Sequence, residues 1–434
     1  MERTLSPFQQ PSPRRPYPMR RQARTVDVIV IGAGHAGLAM SARLTARQVE
    51  HVVLEAGDIG QRWRQERWDS LRLLTPNWTM TLPGQPYSGV NPDGFMHKDA
   101  LADYLAAYAR GQRSPVKRDS RVHSVRAVND RYLVTTTQGE WYCRGLVIAT
   151  GAYANAVLPR VAEAVPAGVT QLTARDYRNT SDLPRGKVLV VGGSATGLQL
   201  AQELRASGRE VVLSVGEHVR MPRTVAGRDI YWWLSEAGVL YEAASDVDDL
   251  VRARRLPSPQ LVGQPGPDLN LGRLAAEGVE IVGRFAGISD GKAQFSGNLP
   301  HLCKSADLKL KRLLDRFAEA VPGVLRNDEL NVEPTMFGRP RLAIKLGDEI
   351  KSVLWATGYA PDYSWLDVDV LDRKGRLRHD GGVVAAPGIY ALGLPLMRSR
   401  ASTFIAGTAA DTEAIAEHLF GYLETCAQPL AAST

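Results

Sequence analysis

The run Asp27-Val28-Ile29-Val30-Ile31 is apolar and β-branched with no polar alternation. That is the pattern of a strand buried on both faces of a parallel sheet. A glycine-rich turn follows, then apolar positions at helical spacing over Leu38 to Gln48, then a second apolar run, His51-Val52-Val53-Leu54-Glu55. The order predicts a strand–helix–strand unit. The cycle restarts at Lys187, with a strand over Val188 to Val191, a glycine-rich turn, a helix over Leu198 to Ser207 and a strand over Glu210 to Ser214.

Between the two cycles the period changes to that of hairpins. Arg121 to Ala127 and Tyr132 to Thr137 read as strands around the turn Asn129-Asp130, and Gln138-Gly139 leads into a third strand over Trp141 to Ala149. Residues 225–275 hold Pro257, Pro259, Pro265 and Pro267 and read as an irregular excursion. Val279 to Phe295 predicts strands broken at Asp290-Gly291, Leu308 to Ala320 a helix, and Ala410 to Leu423 a closing helix. The fold class expected is α/β, with two Rossmann-like three-layer domains and β-meander insertions. Residues 26–165 and 330–434 form one domain and 166–329 the other.

The net charge of +7 first suggests a polyanionic partner. Residues 1–25 weaken that. Arg3, Arg14, Arg15, Arg20, Arg21 and Arg24 against Glu2 carry five of the seven charges, and five prolines there oppose a helix. This stretch reads as a disordered basic tail, and the near-neutral remainder argues against nucleic acid. Cys143, Cys303 and Cys426 lie far apart with no CxxC, which excludes a redox dithiol and a cysteine zinc site and fits a reducing, cytoplasmic setting. No stretch is long and apolar enough for a membrane span, and the His and Cys positions make no metal site.

Gly32-Ala33-Gly34-His35-Ala36-Gly37 is GxGxxG placed between a strand and a helix. The first glycine permits the turn, the second lets a pyrophosphate approach the backbone, and the third lets helix meet sheet. Glu55 ends the next strand, where a carboxylate accepts bonds from ribose hydroxyls. Gly192-Gly193-Ser194-Ala195-Thr196-Gly197 follows the second strand, with Ser194 in place of the middle glycine. The strand after it ends in Ser214 instead of an acid, with Arg220 and Arg223 close behind. Those residues suit a 2′-phosphate, so the first site is expected to take FAD and the second NADPH.

Two further segments, Val147-Ile148-Ala149-Thr150-Gly151 and Leu354-Trp355-Ala356-Thr357-Gly358-Tyr359, each run from a strand into ATG. The pair resembles the domain crossings of flavoproteins with two dinucleotide-binding domains, and Gly388 to Gly393 resembles their late FAD-contacting strand. Gly60-Gln61-Arg62-Trp63-Arg64 and Leu73-Leu74-Thr75-Pro76 extend the resemblance to flavin-containing and Baeyer–Villiger-type monooxygenases, over residues 26–425. It implies cofactor contacts at Arg62, Trp63, Thr75, Thr150, Gly151, Thr357, Gly358 and Gly393, and Asn77 as the nearest counterpart of the family's small polar residue over the flavin. One departure stands out. The fingerprint FxGxxxHxxx(Y/W/F) keeps its terminal aromatic as Tyr177, but Thr173 occupies the histidine position and Ala167 and Val169 the Phe and Gly positions.

The resemblance implies an NADPH-dependent monooxygenase that transfers one atom of O2 to a small organic substrate through a C4a-(hydro)peroxyflavin. A reductase passing electrons to a quinone or protein carrier has the same nucleotide motifs and stays open at this point. So does a non-catalytic flavoprotein that senses redox state.

Overall fold

The computed structural model describes residues 23–264 and 268–427. The first core is a sheet whose described strands run in the order His379–Asp380, Val383–Val384, Ile389–Ala391, Gly145–Ile148, Val28–Ile31, His51–Leu54, Val116–Lys117. From Ile389–Ala391 to Val116–Lys117 every pairing is parallel. Val28–Ile31 lies in its middle and is wholly buried. The helices His35–Ala46 and Thr408–Ala427 pack against each other beside this sheet. A second, mixed layer runs Arg24–Thr25, Gly139–Cys143, Arg131–Thr136, Val122–Val128, Leu366–Asp367, antiparallel at its centre and parallel at both edges.

The second core is an all-parallel sheet in the order Thr170–Thr173, Ile350–Trp355, Lys187–Val191, Val211–Ser214, Glu280–Val282. An antiparallel meander, Phe285–Ser289, Lys292–Phe295 and Ala343–Lys345, flanks it. Its turn at Asp290-Gly291 has φ of 51° and 68°, which accounts for the glycine. Residues 225–275 are less irregular than expected and include the helices Ile230–Glu236, Leu250–Ala253 and Leu271–Ala276.

Three expectations are corrected. Ile350–Trp355 is a central strand of the second sheet, so the return to the first domain falls after residue 355, later than the expected 330. The stretch Trp141 to Ala149 is two strands in different sheets, parted at Arg144, whose guanidinium pairs with Asp27 at 2.6 Å. Of the basic tail, residues 1–22 lie outside the described residues. Arg24–Thr25 is a strand paired with Trp141 and Tyr142, and the Arg24 guanidinium sits 4.9 Å from the centre of the Trp141 ring.

The two domains are tied together at several places. Trp68 and Leu71, from the first domain, are buried in the core of the second beside Tyr177 and Leu198. Tyr177, the remnant of the fingerprint, is fully buried and its hydroxyl donates to Glu203 at 2.7 Å. The crossing strands are zipped: Asn155–Ala156 pairs with Tyr359–Ala360, and Val157 N–H donates to the Gly358 carbonyl at 2.9 Å.

Candidate nucleotide and flavin sites

The first glycine turn leaves Val28–Ile31 at the carboxyl end of the sheet. Gly32 has φ +103°, and a Cβ there would lie 2.6 Å from the Ala149 carbonyl oxygen. A Cβ on Gly37 would lie 2.0 Å from the Gly32 oxygen. Gly34 differs, because a Cβ there meets nothing within 4 Å. Two glycines therefore serve the close approach of strand, turn and helix, and the third faces open space. Gly34 is also the N-cap of the helix His35–Ala46, with no side chain capping its first N–H groups. Those free donors and the helix dipole make an anion site. Glu55 accepts from Ala33 N–H at 2.7 Å, which holds its carboxylate against the turn. His35 has a buried Nε2 without a hydrogen-bond partner, and burial lowers its pKa to about 4, so the ring is neutral at pH 7. Gly393, φ +73°, comes close to Ala36 from the late strand. These features fit a dinucleotide pyrophosphate laid across Gly34.

The second turn repeats the geometry. Gly192 has φ +125°, and a Cβ there would lie 2.3 Å from the Ala356 oxygen; one on Gly197 would lie 1.7 Å from the Gly192 oxygen. Ser194 is the N-cap of Ala195–Ala206, which includes Thr196, and makes no side-chain capping bond. The Gly193 carbonyl accepts a buried 2.7 Å bond from Gln260 Nε2.

Residues of the remaining motifs gather near the crossings. Arg62 donates to the Thr150 carbonyl at 3.2 Å, beside Gly151, φ +76°. Trp63 touches both domain cores. Thr357 donates to the Val157 carbonyl, and Gly358 takes φ +93°. Arg67, which the sequence did not single out, lies with its guanidinium 5.6 Å from the Trp63 ring centre and 5.3 Å from that of Tyr359, and burial lowers its pKa. Thr75 is half-buried on a loop held from the other domain: a Cβ on Gly263 would come within 2.1 Å of the Leu73 oxygen.

The residues expected at the 2′-phosphate are engaged by other partners. Ser214 is 2 % exposed and its hydroxyl donates to the Gly283 carbonyl at 2.9 Å. Arg220 pairs with Asp307 at 2.7 Å and also donates to the Glu333 carbonyl. Arg223 is 3 % exposed, paired with Asp229 at 2.7 Å, donating to the Leu74 carbonyl at 2.8 Å and facing the rings of Phe95 and Tyr231. A guanidinium already desolvated and paired is a poor phosphate reader.

Asn77 is buried, and its Nδ2 donates to the Asn91 carbonyl at 2.9 Å while its N–H donates to the Gly94 carbonyl at 2.8 Å. It staples the loop 77–94. Asn77→Ala is expected to destabilise the protein by about 1 kcal/mol through the lost bond. Limited proteolysis of the loop measures it, and an unchanged cleavage rate would refute the staple. Thr173, at the fingerprint histidine position, spends its hydroxyl on Asp176 at 2.6 Å.

Two glycine turns, each opening a helix at the end of a buried parallel sheet, give the paired α/β architecture of a flavoprotein oxidoreductase fold. Residues 29–232 match the family model described as pyridine nucleotide-disulphide oxidoreductase. An uncharacterized CzcO-like oxidoreductase of Geobacillus kaustophilus is 32 % identical over 391 residues, 89 % of this chain and 96 % of that protein. The chain belongs to this CzcO-like oxidoreductase family. A probable indole-3-pyruvate monooxygenase of Arabidopsis thaliana, YUCCA8, is 31 % identical over 216 residues, 47 % of this chain and 50 % of its own. Among solved structures, a flavin-containing monooxygenase from Stenotrophomonas maltophilia superposes with a TM-score of 0.63 at 21 % identity, over 92 % of this chain and 99 % of that one. Among the described residues no helix is long and apolar enough to cross a membrane, and no group of His, Cys, Asp and Glu could hold a metal.

Proposed function

We propose that the chain is an NADPH-dependent flavin monooxygenase, inserting one atom of O2 into a small organic substrate. The observation that carries it is the pair of glycine turns, each at the carboxyl end of a buried parallel strand and each opening a helix without a side-chain cap. Together with relatives named as monooxygenases, and a sequence without CxxC, this favours oxygenation over disulfide reduction. Gly32, Gly34, His35, Ala36 and Gly37 would hold the FAD pyrophosphate, Glu55 its ribose, and Gly393 would close the site from the late strand. Gly192, Gly193, Ser194, Ala195, Thr196 and Gly197 would hold NADPH. When bound, the flavin would supply hydride acceptance from NADPH and, in its reduced form, activation of O2. Trp63, Arg67 and Tyr359, with the guanidinium against both rings, would shield the junction from water, while exposed Arg62 ties its helix to the Thr150 carbonyl; Thr75 would contact the cofactor from its own loop.

The test is incorporation of 18O from labelled O2 by the FAD-loaded protein with NADPH, across a panel of soft nucleophiles and ketones. One labelled oxygen per NADPH oxidised is expected for a true substrate. Transfer of electrons to a quinone, with no labelled product from any of the panel, would move the assignment to a reductase.

A further inference from the structure

A groove of about 280 Å³ is lined by Glu217, Asp249, Val251, Arg252, Arg255 and Leu256. Its position follows from the second sheet. Glu217 lies three residues beyond Ser214, the end of the strand paired with Lys187–Val191, and Val191 leads into the second glycine turn. A dinucleotide whose pyrophosphate rests on that turn sends its adenosine ribose to the end of this neighbouring strand. The excursion is also fastened there. Five residues after Arg255, Gln260 donates its side chain to the Gly193 carbonyl at 2.7 Å and its N–H to the Val219 carbonyl at 2.9 Å. Glu217 is neutralised by Lys309 at 2.8 Å. Asp249 lines the groove too, its Oδ1 accepting from the Arg252 N–H at 2.8 Å, so that with Lys309 counted the groove carries one net positive charge. Arg252 and Arg255 are exposed, and among the described residues neither guanidinium makes a hydrogen bond or close ion pair, although the Arg252 charge, after the bond from Lys309, helps hold the Glu217 carboxyl low. Their neighbours in sequence interest, Arg220 and Arg223, are already committed to Asp307 and Asp229.

We propose that this groove is the subsite for the adenosine 2′-phosphate, held between Arg252 and Arg255, so that coenzyme choice resides in the excursion. The inference rests on the NADPH reading above. Two guanidinia can chelate a phosphate dianion with charge-assisted bonds that a free 2′-hydroxyl does not form.

The test uses FAD-loaded protein and two probes, 2′,5′-ADP and 5′-AMP, titrated calorimetrically. The wild type is expected to prefer 2′,5′-ADP by at least tenfold. Arg252→Ala with Arg255→Ala erases that preference and leaves 5′-AMP binding unchanged, while the paired lysine variant keeps part of it. The groove is refuted by an intact preference in the alanine pair, or by equal losses on both probes. It is refuted equally by loss of the preference in Arg284→Ala alone, whose side chain covers Gly216. If the wild type itself binds both probes alike and NADH reduces the flavin as well as NADPH does, the NADPH reading fails and the subsite with it. A failure confined to the variants leaves NADPH standing.

Discussion

Gly34→Val is expected to strip the protein of FAD and leave the apoprotein as stable as the wild type, whereas Gly37→Ala destabilises the fold itself. The two glycines belong to one motif but face different neighbours. Gly34 has φ −76°, a backbone any residue adopts, and a Cβ on it meets nothing within 4 Å. An added side chain there therefore costs the apoprotein little, yet it fills the space a pyrophosphate would cross to reach the helix N–H groups. We expect at least a hundredfold loss of FAD affinity, which is about 3 kcal/mol at ~1.4 kcal/mol per tenfold. Gly37 has no such freedom. Its Cβ would stand 2.0 Å from the Gly32 oxygen and 3.2 Å from the Ala149 side chain, so the helix must move off the sheet. Flavin absorbance per protein after gel filtration reads the first effect, and melting of both apoproteins reads the second. Full flavin retention by Gly34→Val would mean that the pyrophosphate does not cross this turn.

What the sequence made legible follows from how uniquely each pattern maps onto a place. Val28–Ile31 and Val188–Val191 were readable because unbroken β-branched runs before glycine turns admit few structures. The run Ile350–Trp355 was equally readable as a strand but not as a member of the second sheet. Two buried parallel sheets demand the same apolar pattern, and membership is settled by pairing with Thr170–Thr173 and Lys187–Val191, far away in the chain. The break at Arg144 depends on Asp27, whose carbonyl accepts from both Arg144 and Gly145. The candidate site divides in the same way. Gly37 and Gly197 carry their reason locally, against the Gly32 and Gly192 oxygens of their own turns. Gly32 and Gly192 show theirs in the positive φ of a tight turn, though the backbone they approach, Ala149 and Ala356, is distant in the chain. Arg220 and Arg223 were assigned by nearness along the chain, which says nothing of Asp307, 87 residues further on. Arg252 and Arg255 lie in a proline-rich stretch without periodicity, and only the fold brings Gln260 back to Gly193.

Arg223→Ala is expected to destabilise the protein by about 3–5 kcal/mol, the cost of stranding a buried countercharge. Arg223 is a strut between the domains. It donates to the Leu74 carbonyl of the first domain, pairs with Asp229 in the second, and its N–H donates to Asp268 at 2.6 Å. Burial raises the pKa of both Asp229 and Asp268, and Arg223 opposes the rise in each. Removing the guanidinium lets both rise further. A carboxyl whose pKa is higher folded than unfolded holds its proton more tightly in the folded state, so its effect on stability worsens as pH rises through that range. The deficit of the variant is therefore largest at the alkaline end and narrows as pH falls through the range where the two carboxyls take up protons. Melting temperatures across that range measure it, with a drop of roughly 3–5 °C expected at the alkaline end. The same variant separates two roles. A 2′-phosphate ligand at Arg223 would fold normally when truncated and show a raised KM for NADPH alone. A strut loses stability first, and the Leu73–Thr75 loop loosens with it, so that any functional defect appears with NADH and NADPH alike.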